Sequence, residues 1–317
     1  MAEGGARRPS RDRPIAAIDC GTNTIKLLVG TPTDAGGLDV TRRESRMIRL
    51  GQGIDRSGEI APGALERAFA AIEEYADLVR AAGVGRIRFC ATSATRDAGN
   101  AEEFAAGVEA RLGVRPEVLS GEEEAATAFD GAVRNLREAP AEPVLVVDIG
   151  GGSTELVLGS GGSVDRAVSM DVGSVRMHER HLHSDPPTDA EVAACIADIE
   201  HHLDASPVPL AGAGTVVGIA GTCTTIAAGC LDLPAYDRDA IDQQVIGVVD
   251  THAFVDRLVA ATVRERLEMP FLHPGRADVI DAGALVLDRV LRRTPLTSWV
   301  VSEADILDGI AWSLVDP

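Results

Sequence analysis

No apolar run in the 317-residue chain approaches the roughly 20 residues that a membrane-spanning helix needs, so none is expected. Cysteine is sparse. Cys20, Cys90, Cys195, Cys223 and Cys230 form an odd set without a C-x-x-C pair, which argues for reduced thiols over disulfides or a zinc site. Positive charge is in deficit: 30 basic against 49 acidic residues leave a net charge of -19. That disfavours broad binding to nucleic acid or an anionic membrane. It leaves open one small polyanion held in a local pocket by backbone donors, a few arginines and a metal ion. Three nucleotide and hydrolase signatures are also missing: the G-x-x-x-x-G-K-[ST] loop, the G-x-S-x-G elbow and the spaced glycines of a dinucleotide fingerprint. Residues 1–14 carry Arg7, Arg8, Arg11 and Arg13 with no apolar stretch behind them, so they read as a disordered basic tail rather than a signal peptide. A cytoplasmic location follows as the expectation.

The length suffices for two domains, and 45% apolar with 25% charged residues is a globular composition. The organising stretch is Val144 to Leu158: an apolar run, Asp148, the glycines Gly150, Gly151 and Gly152, the hydroxyls Ser153 and Thr154, Glu155, and a second apolar run. This is a strand that turns tightly beneath a ligand, because glycine lets amides approach an anion with no Cβ in the way. Carboxylates beside such a turn suit a magnesium–phosphate site. The same grammar opens the chain, with Ile15 to Asp19, then Cys20, Gly21, Thr22, Asn23 and Thr24, then Ile25 to Val29. Its recurrence 129 positions later points to two halves built on one plan. A third strand-to-glycine junction, Val216 to Gly221 and Thr222, leads into a helix and is either a phosphate cap or a tight turn.

Strands and helices alternate, indicating an α/β fold with mixed sheets. Leu65, Phe69, Ile72, Ala76 and Val79 mark an amphipathic helix, 172–183 includes another, and 275–293 and 305–315 read as two more. Ser120 with Glu123, and Thr188 with Glu191, fit capping boxes. Glu122, Glu123 and Glu124 are all favoured by a helix dipole, and spacing does not choose among them. Arg96 follows the hydroxyl-rich turn Thr92 to Thr95 and is either a phosphoryl clamp or a solvated helix-start residue. His178, His181 and His183, interleaved with Glu179 and Arg180, read as a partly exposed helix rather than a metal cluster.

Five ordered segments, Ala17 to Thr24, Ala91 to Ala98, Ser120 to Ala125, Asp148 to Glu155 and Ala220 to Thr225, resemble the exopolyphosphatase and guanosine pentaphosphate phosphatase (Ppx/GppA) family, in a short form without C-terminal helical domains. The resemblance runs from about Ile15 to Leu314. It implies an actin-like ATPase fold of two ribonuclease-H-like domains: 15–127, with a terminal helix from 303–317 packed on it, and 128–302, with the site in the cleft between them. It further implies that Glu124 is the catalytic base, with Glu155 and Arg96 as catalytic partners, and that Asp148, Glu155 and Asp19 manage magnesium. Gly21, Thr22, Asn23, Thr24, Lys26, Gly150 to Thr154, Gly221 and Thr222 would bind phosphate. Lys26 stands where arginine is frequent, keeping the charge but losing the fork. The implied activity is magnesium-dependent release of the terminal phosphate of inorganic polyphosphate, short chains above all. Guanosine pentaphosphate is the alternative substrate, and a small-molecule kinase or a non-catalytic nucleotide-binding module the more distant readings. A homodimer is expected from the same resemblance, with neither nucleic acid nor membrane as partner.

Overall fold

The computed structural model describes residues 13–33 and 37–315; the expected N-terminal tail therefore lies, except for Arg13 and Pro14, outside the described residues. The first half comprises β1 (Ile15–Cys20), β2 (Thr24–Pro32), β3 (Leu38–Met47), α1 (Ile54–Ser57), α2 (Pro62–Ala81), β4 (Arg86–Ala91), α3 (Ser93–Asp97), α4 (Ala101–Leu112), β5 (Glu117–Val118) and α5 (Gly121–Arg134). The second comprises β6 (Val144–Ile149), β7 (Thr154–Ser160), β8 (Ser163–Met170), α6 (Ser174–His181), α7 (Asp189–Ala205), β9 (Thr215–Ile219), α8 (Ala220–Cys230), α9 (Arg238–Ile241), β10 (Val245–Gly247), α10 (Val248–Ala260), α11 (Val263–Leu267), α12 (Ile280–Arg292), β11 (Ser298–Val301) and α13 (Ile306–Val315).

The duplication is visible in strand order. One sheet runs β3-β2-β1-β4-β5, and the other repeats that pattern as β8-β7-β6-β9-β11, with β10 added at the edge. In each, an antiparallel hairpin leads into parallel strands reached by helical crossovers. These are the two ribonuclease-H-like domains of an actin-like fold. β1 and β6 are buried along their whole length, as central strands covered on both faces must be, hence the apolar run that leads in each to its one acid, Asp19 or Asp148.

Two helices join the domains. α5 packs on β6, β7 and β8 of the second sheet, α13 packs on β1, β2 and β4 of the first, and the two pack on each other. Their crossing is close: a Cβ at Gly131 would fall 2.1 Å from the Asp305 carbonyl oxygen, and one at Gly309 would fall 2.0 Å from that of Thr127. A single apolar cluster including Ala17, Leu28, Phe129, Val146, Val157 and Ile310 runs from one sheet through this helix pair to the other. No described helix is long and apolar enough to cross a membrane.

Some elements differ from expectation. The helix expected from Gly275 begins at Ile280; residues 274–276 form a 3₁₀ turn, and Val279 leaves helical geometry at φ -126°. The segment expected as a turn after Thr92 holds one turn of helix, α3. Both capping boxes are formed, by Ser120 with Glu123 and by Thr188 with Glu191.

Candidate active site

Four parallel strands, β1 and β4 of one domain and β6 and β9 of the other, deliver their carboxyl ends to one cleft, where an open α/β sheet offers a ligand its free backbone groups. Between the domains is a cavity of about 80 Å³ lined by Asp19, Gly21 to Thr24, Lys26, Thr92 and Glu124 on one side. Asp148, Gly150 to Ser153, Glu155, Ser174, Gly221, Thr222 and Arg276 line the other. The two glycine turns meet across it. A Cβ on Gly152 would sit 2.5 Å from Ser93 Oγ and 2.7 Å from Thr22 Oγ1, so a side chain there would fill the cradle.

The carbonyls of each turn are committed behind the cavity. Gly150 O accepts from the Ser174 amide at 3.0 Å, and Gly151 O from the amides of Val175 and Arg176 at 2.8 and 3.1 Å. In the other turn, Thr22 O accepts from Gly51 at 2.8 Å and Asn23 O from Ile48 and Arg49, both at 2.9 Å. The amides of Gly21 and Gly150 close the turns on the carbonyls of Thr24 and Ser153, both at 3.0 Å, so what the turns have left to offer an anion is the amides that follow those two.

The hairpin register makes the two jaws comparable. Asp19 stands opposite Lys26 across β1 and β2, and Asp148 stands opposite Glu155 across β6 and β7. The position holding an acid in the second domain thus holds Lys26, the sole lysine of the sequence, in the first. Lys26 Nζ lies 2.6 Å from Asp305 and 3.4 Å from Asp19. Burial pulls Lys26 down, but Asp305 and Asp19 more than reverse this and hold it above its ordinary value. The first jaw is therefore internally neutralised, whereas the second presents two carboxylates.

Those carboxylates are short of compensating charge. Burial pushes Asp148 up to about 8, with Lys26 opposing and Asp305, Glu124 and Asp19 adding repulsion. Glu155, 1% exposed, is raised well above its ordinary value by burial and by Glu124 and Asp148, relieved in part by Ser169 Oγ, which donates to it at 2.7 Å. Asp19 is pushed up to about 6, mainly by burial. Buried acids that repel one another in this way would be relieved by a bound cation.

The structure chooses among the three glutamates of α5. Glu122 and Glu123 are exposed, and Glu123 is consumed by the capping box, whereas Glu124 faces the cavity at 7% exposure. Burial pushes Glu124 up to about 7, against Arg96 and a hydrogen bond from Thr92. Arg96 Nη1 donates to Glu124 Oε2 and to the Leu119 carbonyl, both at 2.8 Å.

Several expected site residues stand elsewhere. Arg96, expected as a phosphoryl clamp, is outside the cavity lining, and its Nη1 is turned to Glu124 and the Leu119 carbonyl. Thr154, expected in the phosphate cradle, is also outside the lining: it is the first residue of β7 and its hydroxyl bonds the Val172 carbonyl. Asp148, Glu155 and Asp19 do not form a three-acid metal cluster; among the described residues no group of three or more His, Cys, Asp or Glu side chains could hold one ion. Asp19 belongs to the opposite jaw and is held by Lys26. One or two carboxylates with retained water remain a fitting donor set for magnesium, and the acids, hydroxyls and carbonyls of the lining are hard oxygen donors. Of the histidines, His181 pairs with Asp198 at 2.8 Å and none lines the cavity.

Arg276 escaped the sequence reading. It lies on the 3₁₀ turn before α12, lines the cavity, and donates to the Gly221 carbonyl at 3.1 Å and Thr225 Oγ1 at 3.3 Å. Burial pulls its guanidinium down from its ordinary value. The only local signal was an arginine after Pro274-Gly275, where the start of a helix was expected. The adjoining Ala220 takes φ +61°, a left-handed conformation rare for a residue with a Cβ, at the start of α8.

The profile of the Ppx/GppA phosphatase family matches residues 31–316. Exopolyphosphatase 2 of Mycobacterium tuberculosis is 44% identical over 314 residues, covering 95% of this chain and 98% of that protein. Guanosine-5'-triphosphate,3'-diphosphate pyrophosphatase of Vibrio atlanticus is 29% identical over 95% of this chain, which spans 59% of that longer protein. Among solved structures, an exopolyphosphatase-like protein superposes with a TM-score of 0.92 at 41% identity, covering 96% of this chain and 99% of its own.

Proposed function

The chain belongs to the Ppx/GppA phosphatase family, and from that premise we propose that it is a magnesium-dependent exopolyphosphatase that hydrolyses the terminal phosphate from inorganic polyphosphate. The observation that carries the reading is Glu124: a buried carboxylate on the wall of a phosphoryl-sized cavity, pushed up to about 7, where a general base works best.

Glu124 takes a proton from a water whose oxygen bonds to the terminal phosphorus. The bridging P–O bond breaks, and its electron pair leaves on the shortened chain. Amides of the two glycine turns and the Arg276 guanidinium hold the phosphoryl oxygens as charge redistributes over them. Arg96 orients Glu124 from behind and favours its charged form. Asp148 and Glu155 would hold magnesium, which when bound neutralises charge on the phosphoryl oxygens. Closure of the domains about the α5–α13 crossing excludes bulk water.

Guanosine pentaphosphate is the second reading, and one observation favours it. A chamber of about 510 Å³ adjoins the cavity through Lys26, Gly221 and Arg276, and its walls include Met47, Tyr236, Phe271 and Leu272. Inorganic polyphosphate has no apolar part to bury there, whereas a nucleoside does. We extend the proposal, on the sequence resemblance, to a cytoplasmic homodimer, which sedimentation and cell fractionation would check.

Purified protein with magnesium is offered polyphosphates of graded length, guanosine pentaphosphate and ATP. Phosphate released from polyphosphate supports the first reading, and release from the guanosine nucleotide alone moves the assignment to the second. ATP consumption that requires an added acceptor indicates a kinase, and no turnover of any substrate indicates a binding module. Glu124→Gln is expected to lower kcat by roughly 10²–10⁴-fold with an unchanged circular dichroism spectrum. Full activity in that variant would remove Glu124 from the mechanism.

A further inference from the structure

We propose that Arg176 is a positioning residue that assembles the phosphate cleft across the two domains, registering the Gly150–Gly152 turn against α1 and α3 so that the site is complete only when the domains are closed. Arg176 lies in the first turn of α6, whose leading amides already hold the carbonyls of Gly150 and Gly151. Its Nε donates to the remaining turn carbonyl, Gly152 O, at 2.7 Å. Its other two nitrogens leave the domain. Nη1 donates to Asp55 Oδ1 at 2.6 Å, while Nη2 bonds Asp97 and lies 3.5 Å from Ser93 Oγ.

Three nitrogens of one guanidinium thus bind three separate elements: the turn, α1 and α3. A lysine, with one nitrogen, could not hold all three in a fixed plane. The side chain is 11% exposed, and its partners Asp55 and Asp97 are 25% and 30% exposed. The site depends on this register. α3 also carries Arg96, which orients Glu124, and Ser93 at its start stands where a Cβ of Gly152 would fall. A shift of α3 relative to the turn therefore moves the base and the cradle apart together. Arg176 does not line the cavity, so it acts through Gly152, α1 and α3. Neighbouring cross-domain contacts, Arg180 on Asp55 and Glu179 on the Gly53 amide, persist without it, which lets a variant fold with the domains still tethered.

The kinetic arm of the test rests on the reading of the cleft as a phosphohydrolase site; the scattering arm does not. Arg176→Lys and Arg176→Gln are compared with the parent chain by small-angle scattering without substrate, thermal unfolding, and kcat and KM on polyphosphate. Both variants are expected to scatter as a more open particle and to lose on the order of 10²-fold in kcat/KM, a displacement effect. Guanidinium ion added to Arg176→Ala is expected to recover activity, as it would not for general destabilisation. Asp97→Asn approaches the contact from the other domain and guards against a misfolded Arg176 variant. It should open the particle as well, and combining it with Arg176→Gln should add little. An Arg176→Lys enzyme with parental kcat/KM, or Arg176→Gln and Asp97→Asn proteins with the parental scattering profile, overturns the proposal. If the parent chain releases phosphate from no substrate, the functional reading fails and scattering still decides the role of Arg176.

Discussion

Asp148 should make the protein less stable as pH rises, and a single amide substitution should remove much of that effect. The residue is 6% exposed, and its carboxyl is pushed from 3.8 to about 8, by burial first, then by repulsion from Asp305, Glu124 and Asp19, against the attraction of Lys26. Below about pH 4 the group is protonated in both folded and unfolded chains and contributes nothing. Between about pH 4 and 8 the unfolded chain sheds a proton that the folded chain keeps, so each unit of pH favours unfolding by up to ~1.4 kcal/mol. Four units set a ceiling of ~6 kcal/mol for this group alone. Glu124 and Asp19 act in the same direction, but interacting acids share their protons, so the effects do not add. Three of those units lie between pH 5 and 8, a ceiling of ~4 kcal/mol; with half of it realised, ~2 kcal/mol, the apparent Tm with chelator present should fall by roughly 3 °C over that range. Asp148→Asn should show a visibly shallower fall, and comparing the two slopes cancels the general repulsion of a chain of net charge -19. At pH 8, magnesium at a hundredfold excess over its Kd should restore ~2.7 kcal/mol to the parent and less to the variant. Equal slopes in the two proteins, or a parent chain more stable at pH 8 than at pH 5 in chelator, would refute an uncompensated acid at this position.

Arg96→Gln removes the cation that holds Glu124 down against burial; a base that then protonates at higher pH shifts the acid limb of kcat/KM upward, so activity at pH 6 should drop more than at pH 9. Gly131→Ala places a Cβ 2.1 Å from the Asp305 oxygen and 2.7 Å from the Gly309 nitrogen, both main chain, and should cost ~1–3 kcal/mol or more in thermal or denaturant unfolding. Chelation should abolish phosphate release and added magnesium should restore it, with the far-ultraviolet circular dichroism spectrum unchanged throughout; chelator-resistant turnover would discard the metal.

Much of the architecture was legible because its signals are local. A central strand buried on both faces must be apolar throughout, and an acid at its carboxyl end followed by glycine can only be a turn, so 15–24 and 144–154 announced themselves twice. Ser120 with Glu123 and Thr188 with Glu191 located helix starts correctly, since a capping box closes within four residues. The start of α12 was misread because apolar periodicity from Gly275 does not reveal the backbone break at Val279.

The site was legible as a list of residues, not as an arrangement. Local sequence determined that two glycine turns bordered by acids exist, that a helix with three leading glutamates lies between them, and that the chain has few other routes to anion chemistry. Only tertiary packing decided the rest. Which face of α5 meets the cleft singles out Glu124, and the approach of α3 turns Arg96 from phosphate towards that glutamate. The β7 pleat directs Thr154 to Val172, and the 3₁₀ turn before α12 carries Arg276 into a cavity 55 residues downstream of Gly221. Arg176 draws its partners from 79 and 121 positions away. No local pattern encodes such distances, because they are set by how two sheets lie against one pair of crossing helices.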